Sequence, residues 1–261
     1  MKKILIIAGS DPSGGAGIQA DIRVAASLNI YASAVITSLT AQNTQKVSAI
    51  FNPPITFLQQ QLDMVLDDID YDAIKIGMLS NAEIIDCIGS ILQKRAKNTP
   101  LILDTVMVAT SGDLLLERNA VDALKSKLLN GCYIATPNID EAQILAEMPI
   151  KTIYDMKLAA SKIKLLGAKN ILIKGGHLNF SDGKIRNIFL DEANKFHLIT
   201  NKRFGTKNIH GTGCTLASAL ACNIAKNIPL PTAIRSANRY VANLVSSAVA
   251  VGKGSLVLIK N

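Results

Sequence analysis

The sequence has 261 residues, of which 49% are hydrophobic, and this is enough to bury the core of one α/β domain spanning residues 1–261. Its formal net charge of +8 is spread from Lys2 to Lys260 with few aromatic residues nearby, so we expect a solvated surface and no nucleic-acid partner. The opening apolar run stops at Asp11, no other run is long enough for a membrane span, and the four cysteines lack disulfide or zinc spacing, which favours a cytoplasmic protein.

Short apolar runs alternate with longer stretches of helical periodicity through most of the chain. The runs are KILIIA at 3, SAVITSLTA at 33, AIKIGM at 73, PLILD at 100, CYIATP at 132 and NILIKG at 170. This alternation is typical of βαβ units and predicts a central, mostly parallel sheet flanked by helices on both faces. Polar and glycine clusters follow nearly every run, so we expect a binding site at the carboxyl edge of the sheet.

The last third of the chain departs from this alternation. RNIFL and KFHLIT flank the turn-forming segment DEAN, which predicts an antiparallel hairpin at or beside the sheet. Two helical stretches follow, from about Gly211 to Asn227 and from Pro231 to Val251. No repeat, linker or change of composition marks a second domain.

A glycine-rich segment, GSDPSGGAG, follows the first apolar run from residue 9 to residue 17. Residues 15–20, GAGIQA, match the dinucleotide fingerprint GxGxxG/A, but no acidic residue stands about 20 positions further on to bind a ribose. Gly9 and Gly14 have the spacing of a phosphate-binding P-loop, but Gly15 stands where the lysine of that motif belongs. Both matches fail at the residue that performs the chemistry.

Asp21 lies within the apolar face of the first predicted helix, among residues such as Ile18, Ile22 and Ala25. A buried carboxylate needs a donor, because burying an unpaired charge is costly. The residues alone leave two partners open, a ligand or a basic side chain of a neighbouring segment.

A second glycine cluster, HGTGC from residue 210 to residue 214, precedes a helix of small residues. Backbone N–H groups and the positive end of the helix dipole would make Gly211, Thr212 and Gly213 an anion site, as phosphoryl transfer requires. Cys214 falls in the first turn, where the dipole should lower the pKa of its thiol and suit it to accept a proton. The competing interpretation is a small residue packed against the sheet.

Four polar residues follow other strands. Asn138 opens a predicted helix and suits a capping role, while Glu141 could hold Mg²⁺ through water. Asp104, at the end of PLILD, is a second candidate for magnesium, and Lys174, at the end of NILIK, could pair with a phosphate or lie in solvent.

Taken together, these motifs resemble the hydroxymethylpyrimidine/phosphomethylpyrimidine kinases of thiamine biosynthesis, within the ribokinase-like superfamily. The resemblance spans the whole chain. It rests on AGSDPSGGAGIQAD at 8, TSLTAQNT at 37, QLDMVLDDI at 61, KIGML at 75, VMVATSGD at 106, TPNIDEA at 136, KGGHL at 174 and HGTGCTLASAL at 210. It implies a sheet of about eight strands, a homodimer, ATP with Mg²⁺, and two successive phosphorylations in one site.

The resemblance also implies roles for individual residues. The pyrimidine pocket would be lined by Gly9, Asp21, Gln42, Met78 and Val106. Gln42 would be the main selector, because its amide offers the donor and the acceptor that an aminopyrimidine edge requires, and Asp21 would accept from the ring's amino group.

The same resemblance assigns the transfer chemistry. Cys214 takes the place of the aspartate base found in most of the superfamily, beside an anion hole of Gly211, Thr212 and Gly213. The implied ATP contacts are Lys174, Thr206 and Asn138, and the implied magnesium residues are Asp104 and Glu141, acting through water.

Two positions depart from related patterns. The family usually has a proline after Asp104, where this chain has Thr105, and we expect this change to loosen the turn beside the pocket. Cys214 departs from the wider superfamily but is characteristic of this branch, which supports the narrower assignment.

Three other functions compete with this assignment. A pyridoxal kinase of the same fold is the nearest, because pyridoxal also has a hydroxymethyl group on a six-membered nitrogen ring, although Gln42 and Met78 favour the pyrimidine. A non-catalytic pyrimidine-binding protein would be expected to lose the anion hole or the base, and both are present. An NAD-dependent oxidoreductase is disfavoured by the missing ribose carboxylate.

Overall fold

The computed structural model describes residues 1–109, 111–113, 115–176, 178, 182–203 and 209–259. Eleven strands are seen in these residues: β1 (Lys3–Ser10), β2 (Tyr31–Gln42), β3 (Val47–Phe51), β4 (Ala73–Ile76), β5 (Leu101–Leu103), β6 (Ile134–Ala135), β7 (Ile171–Ile173), β8 (Lys184–Leu190), β9 (Phe196–Lys202), β10 (Ile209–His210) and β11 (Leu256–Val257). The α-helices are α1 (Gly17–Ser27), α2 (Ile55–Asp68), α3 (Ala82–Arg95), α4 (Val121–Leu124), α5 (Ile139–Ala146), α6 (Ile153–Leu165), α7 (Thr212–Ala225) and α8 (Leu230–Ser246).

Nine of the described strands form one sheet in the order β3-β2-β1-β4-β5-β6-β7-β8-β9. Within this order, the consecutive strands β2, β1, β4, β5, β6 and β7 pair in parallel. The strands β3, β8 and β9 are antiparallel to their neighbours. The predicted α/β fold and the β8–β9 hairpin are confirmed. The nine strands compare with the sheet of about eight that the resemblance implies. β3, a short edge strand with mostly exposed side chains, has no clear apolar pattern and is absent from the predicted runs.

Helices cover both faces of the sheet, and the alternation of side chains along β1 shows why. Leu5 and Ile7 pack in one hydrophobic cluster with α2, α3, α5 and α6, whereas Ile4, Ile6 and Ala8 pack in a second cluster with α1, α7 and α8. A strand that is buried on both faces needs a continuous apolar run, as the sequence supplies here.

The chain order reverses between β1 and β4, since β2 and β3 lie on one side of β1 and the later strands of the sheet lie on the other. Such a reversal opens a crevice at the carboxyl ends of the strands. Gly9 at the end of β1 and Met78 just after β4 both lie there. The two helices predicted near the end of the chain are both present, with shifted ends. Helix α7 begins just after Gly211. Helix α8 stops at Ser246, before the segment in which Val249 pairs with Val257.

No helix among the described residues combines the length and apolar character that a membrane crossing requires.

Candidate active site

A cavity of about 780 Å³ lies at the carboxyl end of the parallel strands. Its walls include the first glycine loop, the end of β2, the segments after β4, β5 and β7, the first turn of α7, and parts of β8, β9 and α8. The residues predicted for the site that line it are Gly9, Gln42, Met78, Asp104, Val106, Asn138, Glu141, Lys174, Gly211, Thr212, Gly213 and Cys214. The sequence motifs scattered along the chain therefore meet in one place.

The two glycine clusters are in direct contact. Gly211 has a φ of +81°, and a Cβ atom on it would lie 2.0 Å from the carbonyl oxygen of Gly15. A Cβ atom on Gly15 would lie 2.4 Å from the ring of His210. Only glycine fits at either position, so the start of α7 is held against the first glycine loop.

Asp11 organises the first glycine loop. Its carboxylate accepts hydrogen bonds from the backbone N–H and hydroxyl of Ser13 and from the backbone N–H of Ala16. Burial raises the pKa of Asp11, but the hydrogen bonds from His210, Ser13 and Ala16 outweigh it and bring the pKa to about 2. Asp11 is therefore a carboxylate at neutral pH.

Gln42 extends from the end of β2 toward His210, which immediately precedes the anion-hole glycine. The amide nitrogen of Gln42 lies 3.1 Å from Nε2 of His210, and that ring nitrogen lies 3.0 Å from the carboxylate of Asp11. On the other side of the amide, the hydroxyl of Thr40 lies 3.1 Å from Oε1 of Gln42. Sequence reasoning missed Asp11, Thr40 and His210 as members of the site, although all three fall inside its quoted motifs.

Gly9 and Met78 form part of the cavity wall. A Cβ atom on Gly9 would lie 2.8 Å from the sulfur of Met78, so the close approach of the methionine side chain requires glycine at the end of β1. Val106 lies on the segment after β5 and lines the same cavity.

Lys174, Asp104 and Glu141 form a charged cluster in the wall of the same cavity. The ammonium of Lys174 donates to Oδ1 of Asp104 at 2.8 Å, whereas the buried Oδ2 of Asp104 has no hydrogen-bond partner among the described residues. Gly213, in the first turn of α7, is adjacent, since a Cβ atom on it would lie 3.3 Å from the ammonium of Lys174. The cation, the carboxylate and the start of the helix therefore face the same space.

Glu141 is buried and caps the helix that carries it. The side chain of Asn138 accepts from the backbone N–H of Glu141, and the carboxylate of Glu141 accepts from the backbone N–H of Asn138. Burial and the nearby charge of Asp104 raise the pKa of Glu141 to about 7, although Lys174 opposes the shift. The capping role predicted for Asn138 is thus confirmed; its contact with ATP stays a prediction.

Thr105, which stands where the family usually has proline, has a partner of its own. Its hydroxyl donates to Oε2 of Glu141 at 3.0 Å, and its side chain is buried. Proline could not make this hydrogen bond; the loosened turn stays a prediction.

Asp21 is placed differently from the expected substrate contact. Its carboxylate is completely buried, accepts from Lys75 at 2.7 Å and from the hydroxyl of Ser218 at 2.7 Å, and does not line the described cavity. Of the two partners left open by the sequence, the basic side chain is the correct one, because Lys75 of β4 forms a salt bridge with the carboxylate inside the core. Sequence reasoning missed Lys75, and its only signal was a charged residue inside the apolar run AIKI.

The pKa of the Cys214 thiol also differs from the expected one. Burial raises its pKa to about 11, and the charges of Asp21 and Asp104 add to the effect, although Lys75 opposes it. The expected lowering by the helix dipole is therefore wrong, because burial outweighs it. Cys214 lines the cavity as predicted, but as a thiol at neutral pH. Thr206, an expected ATP contact, lies outside the described residues.

Comparisons with known proteins identify relatives of this chain. The family model described as phosphomethylpyrimidine kinase matches residues 11–258. A hydroxymethylpyrimidine/phosphomethylpyrimidine kinase of Haemophilus influenzae is 40% identical, and the match covers 97% of this chain and 94% of that protein. The chain belongs to the phosphomethylpyrimidine kinase family. The predicted family, and with it the prediction of a kinase, is confirmed.

Longer relatives contain the same unit. A thiamine biosynthesis bifunctional protein of Geobacter sulfurreducens is 44% identical over 96% of this chain, but the chain spans only 50% of that protein's length.

Solved structures confirm the ribokinase-like fold. The crystal structure of a phosphomethylpyrimidine kinase from Clostridium difficile has a TM-score of 0.82 at 36% identity, covering 93% of this chain and 99% of that one. An ADP complex of Bacillus subtilis pyridoxal kinase has a TM-score of 0.90 at 30% identity, covering 99% of this chain and 97% of that one. Sequence identity is thus higher to the pyrimidine kinase, while backbone similarity is higher to the pyridoxal kinase.

Proposed function

We propose that this chain transfers the γ-phosphate of ATP to the hydroxymethyl group of an aminopyrimidine, hydroxymethylpyrimidine, and then transfers a second phosphate to the monophosphate. One observation supports this above the others: a single cavity is lined both by Gln42 and Met78 and by Gly211 to Cys214, at the start of α7. A ring held by the first pair can present its hydroxymethyl group to a phosphate held by the second group.

The binding part of the mechanism follows from the polar groups of the pocket. Gln42 supplies one donor and one acceptor to the edge of the ring, while Gly9 and Met78 pack against it. Backbone N–H groups in the first turn of α7, together with the ammonium of Lys174, bind the γ-phosphate and lower the energy of the charge that develops on its oxygens.

The cluster of Lys174, Asp104 and Glu141 fits a magnesium ion. Asp104 offers a buried carboxylate oxygen without a hydrogen-bond partner, and the carboxyl of Glu141, whose pKa is raised to about 7, lies in the same cluster. Carboxylate oxygens and water are the ligands that Mg²⁺ prefers. Asp104, and Glu141 through water, would hold the ion, which supplies charge neutralisation between the phosphates of ATP when it is bound.

The proton of the substrate hydroxyl passes to the thiolate form of Cys214, which is a minor form at neutral pH because the pKa of the thiol is about 11. The proton leaves the hydroxyl late, as the new O–P bond forms and the bond to ADP breaks. A loose transition state permits this late transfer, because the nucleophile contributes little bonding at that point. The second step needs no base, since its acceptor is already a phosphate anion.

The remaining parts of the proposal concern the whole molecule. Residues 1–261 act as one domain, in the cytoplasm and as a homodimer, with a pyrimidine and ATP as the small-molecule partners and neither nucleic acid nor membrane. Leu39 and Phe51 face each other across the β2–β3 pair, and their side chains are 46% and 62% exposed. Exposed apolar residues on the edge strand and on its neighbour suit contact with a second copy. Light scattering of Phe51→Asp beside the unaltered protein tests the dimer.

Pyridoxal phosphorylation is the second candidate function, favoured by the TM-score of 0.90 to a pyridoxal kinase. The two functions differ in what the ring offers to Gln42. An aminopyrimidine edge uses both the donor and the acceptor of the amide.

The proposed function is tested by incubating the purified protein with ATP, Mg²⁺ and hydroxymethylpyrimidine and following the products by phosphorus NMR. We expect the monophosphate to appear first and the diphosphate to follow from it. Monophosphate that accumulates without conversion would remove the second step from the proposal, and no turnover of the pyrimidine would remove both.

A further inference from the structure

The polar contacts around Gln42 contain two conflicts. Asp11 is a carboxylate, so Nε2 of His210, 3.0 Å from it, must carry a proton and donate. The amide nitrogen of Gln42, 3.1 Å from the same Nε2, is also a donor. Two N–H groups thus point at each other.

The second conflict lies at the other end of the amide. The hydroxyl of Thr40 lies 3.0 Å from the carbonyl oxygen of Ser10 and 3.1 Å from Oε1 of Gln42. Both neighbours are acceptors, and a hydroxyl has one proton to donate. One of the two contacts is therefore left without a hydrogen.

A half-turn of the terminal amide resolves both conflicts. It exchanges the nitrogen and oxygen of Gln42 while leaving the shape of the side chain nearly unchanged. Oε1 then accepts from Nε2–H of His210, and Nε2 of Gln42 donates to the hydroxyl of Thr40, which in turn donates to Ser10. Each hydrogen now meets an acceptor.

The other way to relieve the first conflict is excluded by Asp11. If Nε2 of His210 had a lone pair and accepted from Gln42, that lone pair would face the carboxylate at 3.0 Å. The carboxylate already accepts from Ser13 and Ala16, which favour its charged form. The ring of His210 is also fixed in place, because it packs against Gly15 and the residue lies on β10.

We propose that Asp11 and His210 are positioning residues that fix the orientation of the Gln42 amide, and thereby the order of donor and acceptor that the pocket presents to its substrate. In this orientation the amide keeps one lone pair and one N–H for the ligand. These match a ring nitrogen beside an amino group. The inference rests on the proposed function, since it explains how the pocket selects an aminopyrimidine.

The test compares two substrates that differ only in this order. In the oxo analogue of hydroxymethylpyrimidine, a ring N–H and a ring carbonyl replace the ring nitrogen and the amino group, so donor and acceptor are exchanged. The unaltered protein should prefer the amino compound. In His210→Phe the amide is free to turn and can match either compound, so the ratio of the two kcat/KM values should fall by about tenfold or more. The KM for ATP should stay near its original value.

His197→Phe is the matched control. His197 also pairs with an aspartate, Asp191, at 2.7 Å, but it lies on β9 and does not line the cavity. We expect it to leave the ratio unchanged. A general structural effect of His210→Phe would instead lower kcat/KM for both substrates by the same factor, and an unchanged ratio of this kind overturns the inference.

A second measurement needs no variant. The sequence has three histidines, so long-range proton–nitrogen NMR of the unaltered protein can identify which ring nitrogen of His210 carries a proton at neutral pH. A proton on Nε2 is expected, and a lone pair on Nε2 would overturn the inference even if His210→Phe failed to fold. Failure of the proposed function is seen separately, as absence of turnover of the amino compound by the unaltered protein.

Discussion

The ammonium of Lys75 lies 2.7 Å from the carboxylate of Asp21, and neither side chain exposes any surface. Ser218 of α7 donates a second hydrogen bond to the same carboxylate. The Asp21 carboxylate therefore links α1 to β4 and to α7 inside the core. Burial raises the pKa of Asp21, whereas Asp21 and Cys214 help to raise the pKa of Lys75 above its ordinary value in spite of burial.

Asp21→Asn should destabilise the protein strongly, because it leaves the buried ammonium of Lys75 without its counter-charge. The expected loss is about 3 to 5 kcal/mol, which for a chain of this size lowers Tm by roughly 10 °C. Differential scanning calorimetry of the unliganded protein measures it. The double variant Asp21→Leu with Lys75→Met, which removes both charges, should recover much of the loss. A small change in Tm combined with weakened pyrimidine binding would return Asp21 to the role of a substrate contact.

Cys214→Ser should slow the first phosphorylation much more than the second. General base catalysis contributes about 10² to 10⁴-fold, and only the first acceptor has a proton to lose. Single-turnover kinetics with the pyrimidine and with its monophosphate separate the two steps. Cys222→Ser, the same replacement two turns further along α7 and outside the cavity, is the control and should change neither rate. Equal slowing of both steps would argue against a base at position 214.

The pH dependence of the first step should follow the same thiol. The reactive form of Cys214 is the thiolate, and its pKa of about 11 places the change above the neutral range. In the unaltered protein kcat should therefore rise with pH toward that value, while in Cys214→Ser the rise should be absent. A plateau beginning near pH 7 in the unaltered protein would show that another group accepts the proton.

Gln42→Ala should raise the KM for the pyrimidine by about 10 to 100-fold and leave the KM for ATP nearly unchanged. The amide loses both contacts with the ring, and the polar groups of the ring are then left unpaired in the pocket. Steady-state kinetics with each substrate varied in turn provide the measurement. Equal weakening toward ATP and the pyrimidine would mean that Gln42 supports the fold of the site as a whole.

Glu141 should make the stability of the unliganded protein depend on pH. Its pKa in the folded state, about 7, lies above the ordinary 4.5, so the folded state keeps a proton that the unfolded chain releases between these values. Stability from this group is full below about pH 4.5 and falls as pH rises to 7, by up to about 3 kcal/mol. Tm recorded from pH 5 to pH 8 should fall less steeply in Glu141→Gln. An identical slope in both proteins would contradict the shift.

Adding Mg²⁺ and ADP should reduce this slope in the unaltered protein. A cation near the carboxyl of Glu141 favours its charged form and so lowers its pKa. Glu141→Gln should show a smaller change in slope under the same conditions. If ADP alone gave the full effect in the presence of a chelator, the magnesium role of Asp104 and Glu141 would be wrong.

The sequence was sufficient to predict a strand where burial on both faces of the sheet requires a continuous apolar run. β1 is buried on both faces, so its run KILIIA identifies it without tertiary information. β3 has mostly exposed or half-buried side chains at the edge of the sheet, and nothing in VSAIF distinguishes it from a loop. Helix α8 ends earlier than its apolar pattern predicts, because Val249 pairs with a strand near the end of the chain.

A site residue could be predicted only where a sequence motif itself contains the residue type that the chemistry needs. The cavity brings together the motif residues Gln42, Lys174 and Cys214, as the positions of their strand ends and helix starts predict. The partner of Asp21 is 54 residues away along the chain, and that of Asp11 is 199 residues away. Such pairs depend on how the elements pack, as does the burial that sets the pKa of Cys214.

The most direct test of the central claim places hydroxymethylpyrimidine and pyridoxal at equal concentrations in one reaction with ATP and Mg²⁺. The ratio of the two phosphorylated products equals the ratio of their kcat/KM values, so it does not depend on the amount of active protein. We expect the pyrimidine product to predominate and to proceed to the diphosphate. Predominance of pyridoxal phosphate would contradict the account and would show that the closer backbone similarity to pyridoxal kinases reflects the function.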